Sequence, residues 1–243
     1  EPEDRNIFSY VMEKHQRNKS ANGKILLYLS EMFLYPKEFP VLLYASQILQ
    51  AEAVKYGVEH WRRNRGRCMG AIYWQLNDCW PVASWASIDY DNRWKALHYY
   101  ARRFFAPLLL SCCEEGTMTQ NTNVNAEHTE IEKSVRLSVA NETMEAAAAT
   151  VRWAVRDTAG IILKEGNREI EVPALESVWL EKQDMAEVDE YRQYFSYELE
   201  KDGQVCSQGT VLFCQPKHFH FQDPHLRWEL QGDYIKIYAD AFA

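Results

Sequence analysis

Apolar positions follow a helical period over the first hundred residues and then change to short alternating runs. Residues 4–17 (DRNIFSYVMEKHQR) place Ile7, Phe8, Val11, Met12 and His15 on one face, and residues 23–33 repeat the pattern with Ile25, Leu26, Leu29, Met32 and Phe33. A longer helix is predicted to open at Pro40, where a missing N–H costs nothing. It continues through Val41, Tyr44, Ala45, Ile48, Glu52 and Trp61 and stops near Gly66. Residues 68–76 (CMGAIYWQL) are a continuous apolar run of strand length, and residues 94–105 (WKALHYYARRFF) align Trp94, Leu97, Ala101 and Phe104 on another helix. The order helix, buried strand, long loop, helix suits a parallel sheet or barrel, where helices cover one face of a strand and core fills the other. Residues 78–93 are then the loop joining strand to helix.

Beyond Pro107 the pattern predicts an immunoglobulin-like sandwich, with strands near residues 134–141, 150–156, 161–164, 178–181, 192–200 and 208–214. Val151, Trp153 and Val155 share one strand face, Phe195, Tyr197 and Leu199 another, and Lys201-Asp202-Gly203 marks a hairpin turn. After Pro216, residues 234–239 look like the start of another β unit. The expected fold class is an α+β multidomain fragment: the C-terminal piece of a (β/α)8 TIM barrel over residues 1–106, the sandwich over 107–215, and a truncated β unit over 216–243. A whole barrel takes roughly 250 residues, and about a hundred precede the sandwich. The opening EPEDRNIF has no initiator Met, basic segment or apolar segment, so the chain is expected to begin mid-protein. A strand at 68–76 without its barrel neighbours should expose apolar faces and unpaired edges, and associate or rearrange. No internal repeat is found.

Composition narrows the function classes. With 47% apolar residues the chain can bury a sizeable core. A net charge of −8 argues against a broad nucleic-acid or anionic-membrane surface. The one dense basic stretch, residues 61–67 (WRRNRGR), reads as a helix end whose cations complement the dipole. No window approaches the length of an apolar membrane span. The six cysteines include no CxxC pair, so reduced thiols and a cytoplasmic location are expected, with secreted or lysosomal locations left open. Cys206 and Cys214 are candidates to face each other across a hairpin, and Asn141-Glu142-Thr143 is a glycosylation sequon that matters only in a secreted protein. His218 and His220 alternate on a possible strand but lack a third spaced ligand. No metal or cofactor is expected, and nucleotide-binding, serine-hydrolase and zincin motifs are absent from the sequence.

The chemistry lies in residues 70–85, GAIYWQLNDCWPVASW. In a barrel, the carboxyl end of a strand and the loop after it face the active site, which places Trp74, Gln75, Asn77, Asp78, Trp80 and Trp85 there. A pyranose packs the C–H groups of one face on an indole, while its hydroxyls need amide or carboxylate partners. Trp74, Asn77, Asp78 and Trp80 are the candidate substrate-binding residues. Trp85 and Trp94 are better read as packing residues, and Asp78 is equally suited to bracing the loop, as aspartates in turns commonly do.

The run YWQLND-WP, then SWASIDY, then WKALHYYARRFFAPLLLS resembles the end of the barrel in glycoside hydrolase family 2, specifically its β-mannosidases. The upstream VMEKHQRN and YASQILQAEAVKYGVEHWRRN are similar to the same branch. The resemblance spans about residues 4–111 and is only architectural over the sandwich. It implies a parent enzyme that removes terminal β-linked mannose with retention, using two carboxyl groups about 5 to 5.5 Å apart. It also implies that both glutamates lie upstream of Glu1, so no catalytic residue is expected in this chain, which alone should be inactive. Trp74 then corresponds to the tryptophan flooring the terminal-sugar subsite, and Asp78, Asp89 and Asp91 match neither catalytic motif. The expected partners are a carbohydrate substrate and the missing N-terminal domains of the parent. Two alternatives stay open: a β-galactosidase or exo-glucosaminidase of the same family, and a non-catalytic sandwich that scaffolds the barrel or binds carbohydrate.

Overall fold

The first helical stretch is shorter than its apolar pattern predicts, because two side chains near its start bond to the backbone. Asn6 Oδ1 accepts the Phe8 N–H at 2.8 Å, which holds residues 6–8 in a turn, and Ser9 Oγ then caps a short helix by accepting the Met12 N–H at 3.2 Å. That helix, α1, spans only Tyr10–Lys14. Beyond it Gln16 pairs with Ala83 in a parallel bridge, so the chain leaves the helical path. The computed structural model describes residues 1–116 and 132–242. The chain divides into two compact units, Glu1–Leu109 and Leu110–Ala243.

The first unit continues with α2 (Ala21–Met32), α3 (Phe39–Arg63) and α4 (Ala96–Phe104). Both ends of α4 are satisfied by side chains of α3: Gln47 Oε1 accepts the Ala96 N–H at 3.1 Å, and Arg62 Nη1 donates to the Phe104 carbonyl at 2.6 Å. The basic stretch at residues 61–67 thus contributes a buried helix-end contact. The two helices meet through Ala51 and Val58 of α3 against Leu97, Ala101 and Phe104 of α4. This is not the stripe expected from the sequence, since Val41, Tyr44 and Trp61 are exposed. α3 carries apolar residues around much of its circumference, and periodicity alone did not single out the face that meets α4.

Residues 68–76 form no ladder-bonded strand. A strand needs a neighbour's N–H and C=O groups, whereas here the Gln75 and Leu76 carbonyls accept from Ser87 and Ile88 in the loop that follows. The side chains nevertheless alternate. Ala71 and Tyr73 pack on the α3–α4 cluster, while Ile72, Trp74 and Leu76 are exposed, Ile72 at 93%.

The second unit is an antiparallel sandwich. β1 (Leu108–Glu115), β2 (Ser134–Asn141) and β5 (Ser177–Trp179) form one sheet, with β6 (Gln183–Asp184) pairing the start of β2. β3 (Ala147–Asp157), β4 (Ile162–Val172), β7 (Gln193–Lys201) and β8 (Gln204–Val211) form the other in the order β4-β3-β7-β8. Asp202 and Gly203 both have positive φ and make the two-residue turn between β7 and β8. Val135, Leu137, Val139, Val151, Phe195 and Leu199 are almost wholly buried by the alternation that each strand's sequence carries.

Three weak sequence signals resolve in this unit. Cys206 and Cys214 do not face each other: Cys206 lies on β8 and Cys214 just beyond its end, and both are free. Asn141, the sequon asparagine, is fully buried, donates to the Glu145, Val172 and Pro173 carbonyls, and accepts from the Thr143 N–H and hydroxyl, so its amide braces a turn. His218 ends a short 3-10 turn instead of lying on a strand, and no group of three metal-ligating side chains occurs among the described residues. Farther on, Phe242 stacks on Tyr194 at 3.8 Å and ties the C-terminal segment to β7. That segment contains a hairpin of β9 (Arg227–Gln231) and β10 (Tyr234–Tyr238), with Trp228, Leu230, Ile235 and Ile237 exposed on one face.

Candidate functional site

The loop after residue 76 is built around a buried carboxylate. Its base is closed by backbone bonds: Ile88 N–H donates to the Leu76 carbonyl at 2.8 Å, and Asp78 N–H donates to the Ile88 carbonyl at 3.1 Å. Asp78 is thereby turned inward, where its carboxylate accepts from the Ser84 hydroxyl at 2.6 Å and from Lys95 Nζ at 3.2 Å, with only 2% of its side chain exposed. A buried ion pair that also satisfies a hydroxyl holds three parts of the loop in one arrangement. Asp78 therefore has the geometry of a brace.

Two further contacts fix the same loop. Ser87 Oγ, fully buried, donates to the Leu76 carbonyl at 2.9 Å and lies within hydrogen-bond distance of Tyr73 Oη and His98 Nδ1. On the far side of the loop, His15 stacks on Trp80 with ring centroids 5.4 Å apart, and the Arg17 guanidinium sits 4.1 Å over the same ring. Ala83 N–H also donates to the His15 carbonyl. Trp80 anchors the loop to the segment that follows α1. Trp85 is half-exposed and its carbonyl accepts from Gln50 Nε2 at 2.7 Å, while Asp89 is spent on the backbone and side chain of Arg93, which hold its carboxyl below the ordinary range.

Trp74 stands apart from this network. It is 74% exposed, and no hydrogen bond or ring contact engages it among the described residues; its peptide bond to Gln75 is cis. Asn77 is also exposed, with its amide donating only to the neighbouring Asp78 carbonyl at 3.3 Å. Of the four candidate residues, Trp74 and Asn77 are thus open to solvent, whereas Asp78 and Trp80 are engaged by protein groups. Sequence reasoning missed Lys95, Ser84, His15 and Arg17. Lys95 stood beside a tryptophan already singled out, but no spacing rule links it to a carboxylate seventeen positions earlier.

Comparison with known proteins gives this geometry a context. Residues 133–218 match the Mannosidase Ig/CBM-like domain family. Over 103 residues, 37% of the chain, the sequence is 51% identical to the β-mannosidase of Capra hircus, and over 110 residues, 44% of the chain, it is 37% identical to β-mannosidase B of Emericella nidulans. These stretches span only 12% and 13% of those proteins. The fold is similar to that of a β-D-mannosidase from Dictyoglomus thermophilum, with a TM-score of 0.86 at 24% identity over 99% of this chain and 28% of that one. A weaker likeness, TM-score 0.60 at 19% identity, extends to an exo-chitosanase of Amycolatopsis orientalis over 76% of this chain and 21% of that one. Over these stretches the chain is similar to β-mannosidases, and its residues 133–218 match the immunoglobulin-like domain model that bears the mannosidase name.

Proposed function

We propose that this chain is the rear part of a retaining exo-glycosidase that removes terminal β-linked mannose, with Trp74 as the floor of the terminal-sugar subsite. One observation carries the reading: the alternation along residues 71–76. Ala71 and Tyr73 are held by the helices, while Ile72, Trp74 and Leu76 face the opposite way and are exposed among the described residues. This alternation supports reading the segment as a barrel strand whose outer face meets its helices and whose inner face would meet the remaining strands. On this reading residues 1–106 complete a (β/α)8 barrel, 107–215 form an immunoglobulin-like sandwich, and 216–243 begin a further β unit.

The roles divide accordingly. Trp74 stacks on the sugar and Asn77 offers an amide to its hydroxyls, while Asp78, Lys95 and Trp80 hold the loop that positions them. The acid/base and nucleophile carboxyl groups belong to residues outside this sequence, so the chain supplies binding without bond cleavage. In the parent enzyme, Trp74→Ala should lower kcat/KM for an aryl β-mannoside by on the order of a hundredfold or more, and an unchanged value removes Trp74 from the site. A panel of nitrophenyl glycosides on the same enzyme tests the sugar. Preference for a galactoside or glucosaminide would replace mannose while keeping the chemistry.

A further inference from the structure

The sandwich is closed at one edge and open at the other. At the closed edge, between β1 and β8, Ser207 Oγ accepts the Leu110 N–H at 3.0 Å and donates to the Leu110 carbonyl at 3.3 Å. At the other edge β4 is eleven residues long, whereas the segments opposite it are β5, of three residues, and β6, of two. A cleft of about 1120 Å³ lies there, lined on one side by Trp153 and β4 and on the other by residues 178–188. That volume is slightly above the roughly 300–1,000 Å³ common for small-molecule sites.

Its floor is an aromatic ring for which the sequence has made room. Trp153 is paired with Gly166 across β3 and β4, and a methyl group on Gly166 would lie 2.5 Å from the indole Cζ2. The ring therefore lies flat over the glycine, as Tyr197 does over its own partner Gly209. Phe195 lies between them, 5.8 Å from Trp153 with the rings tilted by only 22°. Tyr197 and Phe195 are covered by the facing sheet, while Trp153, at the open edge, is only half-buried.

Two cations flank this ring. Lys164 and Arg168 are paired with Val155 and Val151, whose side chains are buried on the inner face, so both project to the same side as the indole. Both are exposed, and neither side chain has a hydrogen-bond or ion-pair partner among the described residues. Their α-carbons are about 13 Å apart along the strand. Inward charges on an outer strand also deter edge-to-edge pairing, but that role needs no indole seated on a glycine between them.

An exposed indole face accepts the C–H face of a pyranose, and lysine and arginine only donate, so a matching ligand presents acceptor oxygens on either side of a stacked ring. We propose that this cleft is a saccharide-binding site for a short glycan, with one pyranose on Trp153 and oxygens of its neighbours accepting from Lys164 and Arg168. Those oxygens are hydroxyls in a neutral chain or carboxylates in a uronic-acid chain. The site goes beyond the function proposed above, because it needs neither Trp74 nor the glutamates.

The test uses the full 243-residue chain, titrated by calorimetry and tryptophan fluorescence with β-1,4-mannotriose and, separately, with a glucuronate-bearing disaccharide. Saturable binding to at least one is expected, retained in Trp74→Ala and weakened about tenfold or more in Lys164→Ala/Arg168→Ala, from the loss of charge-assisted hydrogen bonds. The exposed positions of both cations should leave the unfolding midpoint unchanged, and Trp153→Phe should bind less tightly than wild type while keeping the fold. The preferred sugar tells which oxygens the cations meet. Absence of binding to both sugars overturns the site. So does binding that Trp74→Ala abolishes and the double variant leaves intact, or a double variant that aggregates but binds as before. Failure of Trp74→Ala in the parent assay would instead count against the function proposed above and leave the cleft untouched.

Discussion

The two units of this chain treat their apolar residues in opposite ways. In the sandwich, each sheet's inner face finds the other, and Val139, Val151, Phe195 and Leu199 lie at zero exposure. In the helical unit, residues 71–76 bury one face on α3 and α4 and leave Ile72, Trp74 and Leu76 exposed. The two sheets of the sandwich bury each other's central residues, whereas a segment with the proposed role of a barrel strand would be covered only by further strands on its flanks and core across the barrel axis. The contrast sets what each position should be worth. Phe195→Ala should cost about 3 to 5 kcal/mol, measured by urea denaturation of the chain, and Ile72→Ala less than about 0.5 kcal/mol. Equal costs would mean that the face carrying Ile72 is covered, and the comparison would fail. In a longer parent enzyme the Ile72 cost should rise towards that of a core residue.

The helical unit also contains deeply buried polar arrangements, and the removal of the one around Asp78 gives the next effect. Lys95 and Ser84 are the partners of Asp78, whose side chain is almost wholly enclosed. Lys95→Met leaves that carboxylate buried without its counter-charge and should cost about 3 kcal/mol, while Asp78→Asn/Lys95→Met should cost clearly less than the single change. The double-variant cycle is read from the same denaturation midpoints. Additive losses would show that the pair is not coupled and that the loop is held by its backbone bonds and Trp80 alone.

The closed sandwich core also encloses an uncompensated group. Glu114 on β1 is buried with Oε1 unpartnered, and burial, together with the neighbouring Glu115, pushes its carboxyl up to about 7. In the unfolded chain it titrates at the ordinary value of 4.5. The folded state thus holds the proton more tightly, and stability is lost as pH rises from the lower value to the higher. Glu114→Gln should therefore be neutral near pH 4 and stabilising by about 2 to 3 kcal/mol near pH 8. Denaturation midpoints of wild type and variant at the two pH values measure this, and a pH-independent difference would rule out titration of Glu114 as its source.

These sites also show which parts of the molecule the sequence revealed. The sandwich was legible because alternation is a local signal: Val151, Trp153 and Val155 announced their shared face, and Lys201-Asp202-Gly203 its turn. The start of α1 was not, because Asn6 and Ser9 compete with the apolar period through their own backbone bonds. Nor was the contact face of α3, since a helix apolar on several sides does not reveal which one meets α4. At the candidate site, Trp74 and Asn77 were nominated by residue type and order, and the structure leaves both open to solvent. The partners of Asp78 and Trp80 were not, because Lys95 and Arg17 reach them through folding and follow no repeat. The setting of Asn141 was hidden for a related reason: a three-residue sequon cannot disclose that its first residue is buried and hydrogen-bonded.

The smallest effect concerns the contact that joins the loop to the start of the chain. Arg17 lies over the Trp80 ring at 4.1 Å, in surroundings open enough that a cation–aromatic contact is worth about 0.5 to 1 kcal/mol. Arg17→Ala should therefore barely move the unfolding midpoint, and its consequence should be local. Ala83 N–H, which donates to the His15 carbonyl beside this contact, should exchange with solvent a few-fold faster. Amides of the sandwich such as Leu199 should be unaffected, because their protection requires opening of the closed core. Arg17→Lys separates two explanations, since it keeps the charge while losing the planar stacking surface of the guanidinium. Exchange at Ala83 as fast as in Arg17→Ala would assign the anchoring to that surface, and restored protection would assign it to the charge.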